Sequence, residues 1–319
     1  MFSVVIPLYN KAPYIEKAIR SVAAQTCRDF ELIIIDDGSK DGGFEIAKKL
    51  LAALTPPLGG WGATCQSNQG VSITRNNGVG LAKYDYISFL DADDWWEASY
   101  LEEMKNLIGQ YPEAGIYASS YYKVKNGKHI QANIGVSDGF QQGLINYFQV
   151  YAKTLWMPLW TGATVIKKNI FHENNGFKPT LKLGEDFDLW VRVALKYPVA
   201  FLNKPLAYYN QDVEQANRAI GTKLHKPQEH MLFALKELYE TEKPDSDLKH
   251  LMDALRVYGL FPYYLNKSTR KEALEQLARV DWSKQSAAAY RQYYRSPVWL
   301  LNLKRNIIQL AWKLKQKIK

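Results

Sequence analysis

The chain has 319 residues, 47% hydrophobic and 23% charged, a balance that excludes disorder over most of its length and allows one large core with an appendage. Two cysteines are too few for a disulfide framework or a cysteine zinc site, and no apolar run approaches the roughly 18 residues of a membrane span. The net charge of +9 is all terminal: from Trp282 onward there are nine basic residues and no acid, so the first 281 residues balance to zero.

Val4-Val5-Ile6-Pro7 opens as a buried strand that Pro7 ends. This apolar opening is short and has no basic leader, so it reads as a strand rather than a secretory signal, and a cytosolic chain is expected. Residues 14–25 follow as a helix, with Pro13 suited to its first turn and Ile15, Ile19 and Val22 on one face. Residues 32–35 form a second strand that ends in Asp36-Asp37-Gly38-Ser39. A helix over 47–54 is broken by Pro56-Pro57 and Gly59-Gly60. A short strand near Thr64 leads to Asn68-Gln69-Gly70 and a helix to about Leu81; the strand at 86–90 then runs into Asp91-Ala92-Asp93-Asp94. Further on, 115–122 and 161–166 read as strands, Asn126-Gly127 as a turn, 144–151 as amphipathic and 185–196 as a helix. After Asn217 the patterns are helical, near 226–241, 247–259, 269–280 and 298–318.

This alternation predicts an α/β domain over residues 1–215, a mostly parallel sheet with helices on both faces, followed by a helical region over 216–319. Ligands of such sheets bind outside the carboxyl ends of the strands. The polar clusters at Tyr9-Asn10, Asp36-Asp37, 68–70 and 91–94 all fall there.

Asp91, Asp93 and Asp94 mass negative charge directly after a buried strand, which suits Mg²⁺ or Mn²⁺ completed by substrate phosphates and water. The plainer reading is a solvated acidic loop before a helix. Asp36 and Asp37 can accept from a base or a ribose hydroxyl, or form a turn with a helix cap at Ser39 and Asp41. Gly70 precedes a helix carrying Arg75, which can reach a phosphate or lie in solvent. Gly184-Glu185-Asp186-Phe187-Asp188 puts three acids in the first turn of a helix, either opposing the macrodipole or supplying a general base.

Taken in order, Val5-Ile6-Pro7-Leu8-Tyr9-Asn10, Ile35-Asp36-Asp37-Gly38-Ser39-Lys40-Asp41-Gly42, Asn68-Gln69-Gly70 with Arg75-Asn76, Phe89-Leu90-Asp91-Ala92-Asp93-Asp94 and Gly184-Glu185-Asp186-Phe187-Asp188 resemble family-2 glycosyltransferases of the GT-A fold, over about residues 2–210. The resemblance implies an inverting hexosyl- or N-acetylhexosaminyl-transferase that uses a nucleotide-diphosphate sugar, most commonly of uridine. By it, Pro7, Tyr9 and Asn10 line the nucleotide pocket and Asp37 bonds the base, with Asp36 beside it. Gly70, Arg75 and Ala92 lie within the matched motifs and join the donor contacts. Asp91 serves the ribose or the metal, Asp93 is the principal ligand of Mn²⁺ or Mg²⁺, Asp186 is the catalytic base and Glu185 places the acceptor. One departure stands out. Where the family often has Tyr-Arg-x-His, this chain has Tyr209-Asn210-Gln211-Asp212, and Asp212 either replaces the histidine as a ligand or binds nothing.

Among nearby aromatics Trp156, Trp160 and Tyr151, the reading takes Trp160 as a ring that stacks on sugar, the others as core. In the tail, Leu300, Leu303, Ile307, Leu310, Leu314 and Ile318 share one helical face flanked by lysines and arginines, with Trp299 and Trp312 near its ends. Residues 296–319 therefore read as an interfacial segment for an anionic membrane, fitting a lipid-linked or cell-surface glycan acceptor at the inner face; a helix packed on protein is the alternative. Nucleic acid is not expected, since no binding motif accompanies the charge. A sugar nucleotidyltransferase would carry a glycine-rich basic loop where Tyr9-Asn10-Lys11-Ala12-Pro13 stands, and a non-catalytic binding module would not need Asp91, Asp93 and Asp186.

Overall fold

A computed structural model describes residues 1–213, 224–285 and 288–301, in two compact units, Met1–Thr222 and Lys223–Lys319. The first unit is built on a ten-stranded sheet with the order β3-β2-β1-β4-β9-β6-β10-β5, β7 and β8 attaching to β6 and β10. Four strands run parallel on the N-terminal side: β1 (Phe2–Leu8), β2 (Phe30–Asp36), β3 (Trp61–Cys65) and β4 (Tyr86–Phe89). Every residue of β2 is buried and β1 is nearly so, as parallel strands covered by helices must be. Pro7 lies inside β1 rather than ending it, paired with Ile35. Its missing N–H costs nothing, because β4 pairs with β1 only as far as Val5.

Between these strands run α1 (Ala12–Ala23), α2 (Gly43–Ala53) and α3 (Val71–Leu81). The helix α1 buries Ile15, Ala18, Ile19 and Val22, the stripe its periodicity predicts. The helix α3 lies so close to β1 that a Cβ on Gly78 would sit 2.3 Å from the Val5 side chain. A two-residue strand, β5 (Trp95–Trp96), follows the acidic loop and leads into α4 (Tyr100–Gln110).

The remainder of the sheet comprises β6 (Ile116–Lys125), β7 (Lys128–Gln131), β8 (Gln142–Ile145), β9 (Thr164–Lys167) and β10 (Val199–Asn210). The strand β9 is antiparallel to both β4 and β6, joining the parallel half to the rest. Helices α5 (Tyr147–Thr154), α6 (Lys168–Glu173) and α7 (Glu185–Ala194) complete the unit. The expected strand at 161–166 begins instead with a 3-10 turn, Thr161–Ala163, and the amphipathic stretch at 144–151 divides between β8 and α5.

The second unit is helical: α8 (Met231–Ala234), α9 (Asp247–Gly259), α10 (Phe261–Leu265), α11 (Arg270–Leu277) and α12 (Ala288–Arg295). The single helix expected over 226–241 is broken into 3-10 turns either side of α8. His230 is extended there, its Nδ1 accepting the Leu232 amide hydrogen to cap α8. Within its apolar core Arg256 is fully buried, each terminal nitrogen 2.6 Å from a Glu242 oxygen. The basic amphipathic segment expected over 296–319 lies outside the described residues beyond Leu301.

Candidate active site

The polar clusters read from the sequence gather at the carboxyl ends of β1, β2 and β4 and at the starts of α3 and α7. The loop after β1 is clamped to the loop after β2. Asn10, at φ 49°, gives its amide hydrogen to the Ser39 hydroxyl (3.0 Å) and accepts the Lys40 amide hydrogen on its side chain (2.9 Å). A positive φ is tolerated by asparagine better than by most residues. Asp41 accepts from the first amides of α1 and α2, those of Ala12 (2.8 Å) and Gly43 (3.0 Å), tying the two helix starts together. Tyr9 stands half-exposed above this clamp.

Asp37 is buried and organises the loop before α3. Its Oδ1 accepts from the Gln66 side chain (2.8 Å) and the Gln69 amide (2.9 Å), and its Oδ2 from the Gly70 amide (2.8 Å). Oδ2 thus accepts one of the two bonds it can take. Asp36, equally buried, bonds the Ser39 amide through Oδ2 (3.1 Å), while its Oδ1 has no hydrogen-bond partner among the described residues. Gly38 (φ 79°) makes the turn between these loops, where a Cβ would come within 3.3 Å of the Asn68 nitrogen.

Arg75 is neither solvated nor free to reach out. Only 4% exposed, it spans the two acidic clusters: its guanidinium bonds Asp91 Oδ1 at 2.7 Å and Glu185 Oε1 at 3.0 Å. Burial works against its charge, but Asp91 and Glu185 outweigh that and hold it protonated. Its carbon lies 5.3 Å from the centre of the Phe177 ring. The β4 strand end and the α7 start, far apart in sequence, are joined by this one side chain.

The acidic loop has three distinct residues. Asp93 pairs with the Lys11 ammonium at 2.5 Å, and burial raises its carboxyl above the usual range against that ammonium's pull. Asp94 is 2% exposed and accepts the Asn210 amide hydrogen (2.7 Å), latching the loop to β10; burial, then Asp93 and Asp91, push its carboxyl well up. Ala92 is buried. A cavity of about 310 Å³ borders Asp93, lined among others by Pro13, Tyr14, Lys17, Trp95 and Asn210.

At the start of α7, Glu185 is pushed up to about 7, by burial first and by Asp186 second, against the pull of Arg75. Asp186 is raised as well, by burial, with Arg75 opposing. Its Oδ1 accepts from the Phe187 amide (2.7 Å) and its Oδ2 from the Thr161 hydroxyl (3.3 Å). Asp188 faces the other way. Fully buried, it pairs with Lys178 (3.0 Å) and Arg192 (2.5 Å), and is structural.

Two residues singled out in the sequence have partners within the protein. Trp160, taken as a stacking ring, is only 4% exposed and wedged between Tyr121 and Tyr209, at 4.8 and 5.2 Å between ring centres. Packing has already covered its faces. Asp212, considered as a substitute ligand for the missing histidine, accepts the amide hydrogens of Asn126 (2.6 Å) and Gly127 (2.9 Å) and so holds the β6–β7 turn. The sequence reading gave no role to Lys11 or Thr161; neither belongs to a spaced motif, and only the fold brings them to Asp93 and Asp186.

Two carboxylates, Asp91 and Asp93, adjoin here, and no group of three or more histidine, cysteine or acidic side chains able to hold a metal occurs among the described residues. Such a donor set fits Mg²⁺ or Mn²⁺, which takes few protein oxygens and fills its shell with phosphate and water.

The family model described as glycosyl transferase family 2 matches residues 3–172. The glycosyltransferase GlyA of Streptococcus pneumoniae serotype 4 is 33% identical over 215 residues, 65% of this chain but 30% of that protein. An uncharacterized glycosyltransferase of Rickettsia conorii is 32% identical over 213 residues, again 64% of this chain and 32% of the relative. The chain thus spans about a third of the length of these curated relatives. A cholesterol galactosyltransferase of Borreliella burgdorferi is 24% identical over 316 residues, 94% of this chain and 82% of that one. Among solved structures, S. aureus TarS 1–349 in complex with UDP-GlcNAc superposes with a TM-score of 0.68 at 17% identity, covering 86% of this chain and 79% of that one. The mannosyltransferase PcManGT of Pyrobaculum calidifontis, in complex with GDP-Man and Mn²⁺, gives 0.55 at 16% identity, covering 97% and 80%. At these identities the structural likeness is one of fold.

Proposed function

Because the chain belongs to glycosyl transferase family 2, we propose that it transfers a sugar from a UDP-sugar to an acceptor hydroxyl with inversion, using Asp186 as the base. The observation that carries this reading is the Arg75 bridge, which sets the Asp91 carboxylate and the Glu185–Asp186 pair at one site. A diphosphate end and an acceptor end are then held together by a rigid cation.

In this reading Tyr9 and the clamp around Asn10 border the nucleoside, Pro7 shapes the strand end beneath it, and Asp37 Oδ2 takes a base N–H. Asp36 and Gly70 complete that side. Asp93 and Asp91 would hold Mn²⁺ or Mg²⁺, which when bound acts as a Lewis acid toward the departing diphosphate. Asp186 takes the proton of the acceptor hydroxyl as the new C–O bond forms and the bond to the diphosphate oxygen breaks. Glu185, anchored by Arg75, orients the acceptor. Support for a uridine donor comes from the fold shared with TarS, which binds UDP-GlcNAc.

The acceptor is proposed to be a lipid-linked or cell-surface glycan precursor, met at the cytoplasmic face of an anionic membrane through the basic tail. No helix among the described residues is long and apolar enough to cross a membrane. The first test is calorimetric titration of UDP, GDP and CDP with Mn²⁺ and with chelator. Metal-dependent binding of UDP alone is the expected result; absence of binding by all three would remove the donor site.

A further inference from the structure

Two cations neutralise the carboxylates after β4, and they differ in freedom. Arg75 is 5% exposed in its side chain, fixed by two carboxylates and the Phe177 ring. Lys11 reaches Asp93 through a flexible four-carbon stem, and both partners keep partial access to solvent, 15% and 17%. The Lys11 backbone is anchored: its carbonyl accepts the amide hydrogens of Tyr14 and Ile15 at the start of α1, and Asn10 before it is clamped to the loop after β2. The stem can therefore turn while the backbone stays in place.

We propose that Lys11 is a resident counter-ion of Asp93 that competes with the divalent cation for this carboxylate and passes to the diphosphate of the donor when the cation binds. The inference rests on the reading of Asp93 as a metal ligand. An ammonium and a divalent ion held against one carboxylate repel each other, so occupancy by one opposes the other. A lysine is a point charge with no fixed approach geometry, and a diphosphate offers it a new anionic partner at the same strand end. Metal and nucleotide then favour each other beyond their direct contact, since each releases or recruits the same ammonium.

The test is Mn²⁺ titration of the full chain, by calorimetry and by the paramagnetic resonance signal of free Mn²⁺, with and without saturating UDP. Lys11→Met keeps the stem and removes the charge; Lys11→Gln is a second neutral variant that guards against a folding defect in either one. Without UDP, both variants are expected to bind Mn²⁺ about tenfold more tightly than the wild type. With UDP, that gain should vanish or reverse, because the diphosphate has lost its ammonium. Unchanged or weaker Mn²⁺ binding without UDP in both variants, with Asp93→Asn still abolishing it, would overturn the competition while leaving the metal site intact. An equal gain with and without UDP would overturn the passage to the diphosphate. Mn²⁺ binding by Asp93→Asn at wild-type strength, or no binding by any variant in either condition, would remove the metal reading itself and this inference with it.

Discussion

Asp186 and Glu185 are adjacent acids whose surroundings separate their roles. Asp186 is oriented by Thr161 and the Phe187 amide, whereas Glu185 is tied to Arg75. Replacing Asp186 with Asn keeps the shape and removes the basicity, so nucleotide affinity should persist while transfer falls by about 10²–10⁴-fold, measured as sugar transfer beside calorimetric UDP binding. Transfer at a near wild-type rate would place the base elsewhere. Glu185 gives a pH prediction. Its carboxyl is raised to about 7 in the fold, so the native state binds this proton more tightly than the unfolded chain does. The stability this contributes is complete below the unfolded value and is lost as pH rises through about 7. Melting temperature should therefore decline as pH rises from about 4.5 to about 7 and level off above that, and Glu185→Gln should flatten that decline; an identical slope in the variant would show that other groups control it.

At the scale of elements, α7 carries the chemistry on one side and its own anchor on the other. Asp188 is fully buried against Lys178 and Arg192, and Arg192 also donates to the Gly176 carbonyl at 2.8 Å. Removing one partner of a buried ion pair strands the other, so Asp188→Ala should lower unfolding free energy by about 3–5 kcal/mol in urea titrations. A loss under about 1 kcal/mol would mean that water reaches and solvates Arg192. The strand β5 is a second device of this kind. Trp95 stacks on Tyr208 at 5.1 Å, Tyr208 on Tyr122 at 5.2 Å, and the Lys17 ammonium covers the outer face of Trp95. With Asp94 latched to Asn210, this cross-strand stack fixes the loop that presents Asp91 and Asp93. Two residues are too few to show a strand period, so this element is invisible in sequence, although the consecutive tryptophans signal burial.

At the scale of the whole molecule, the surplus charge and the helical unit set a separate prediction. Within the second unit, the Tyr264 hydroxyl bonds backbone carbonyls of Tyr294 and Ser296, and Leu301 is buried. Deletion of 302–319 therefore spares these contacts while removing six of the nine terminal basic residues. The truncated chain is expected to lose sedimentation with phosphatidylserine-containing vesicles while retaining UDP affinity. Equal vesicle binding by both forms would end the membrane reading.

The residues of β1, β2 and β4 determine their own burial, because continuous apolar runs that end abruptly in polar clusters leave no other arrangement for a parallel sheet. For the same reason the five ordered motifs carried the family and the candidate carboxylates, and α9 appears over 247–259 as its periodicity predicts. What the sequence does not contain is pairing across distance. Arg75 meets Glu185 across 110 residues, Lys11 meets Asp93 across 82, and Asn210 meets Asp94 across 116. Such contacts depend on strand order and on β9 running antiparallel between β4 and β6, neither of which leaves a local pattern. Trp160 and Asp212 make the same point: a ring or a carboxylate has the same local signature whether its partner is a ligand or a neighbouring element, and only the tertiary structure supplies the ring packing around Trp160 and the turn contacts of Asp212.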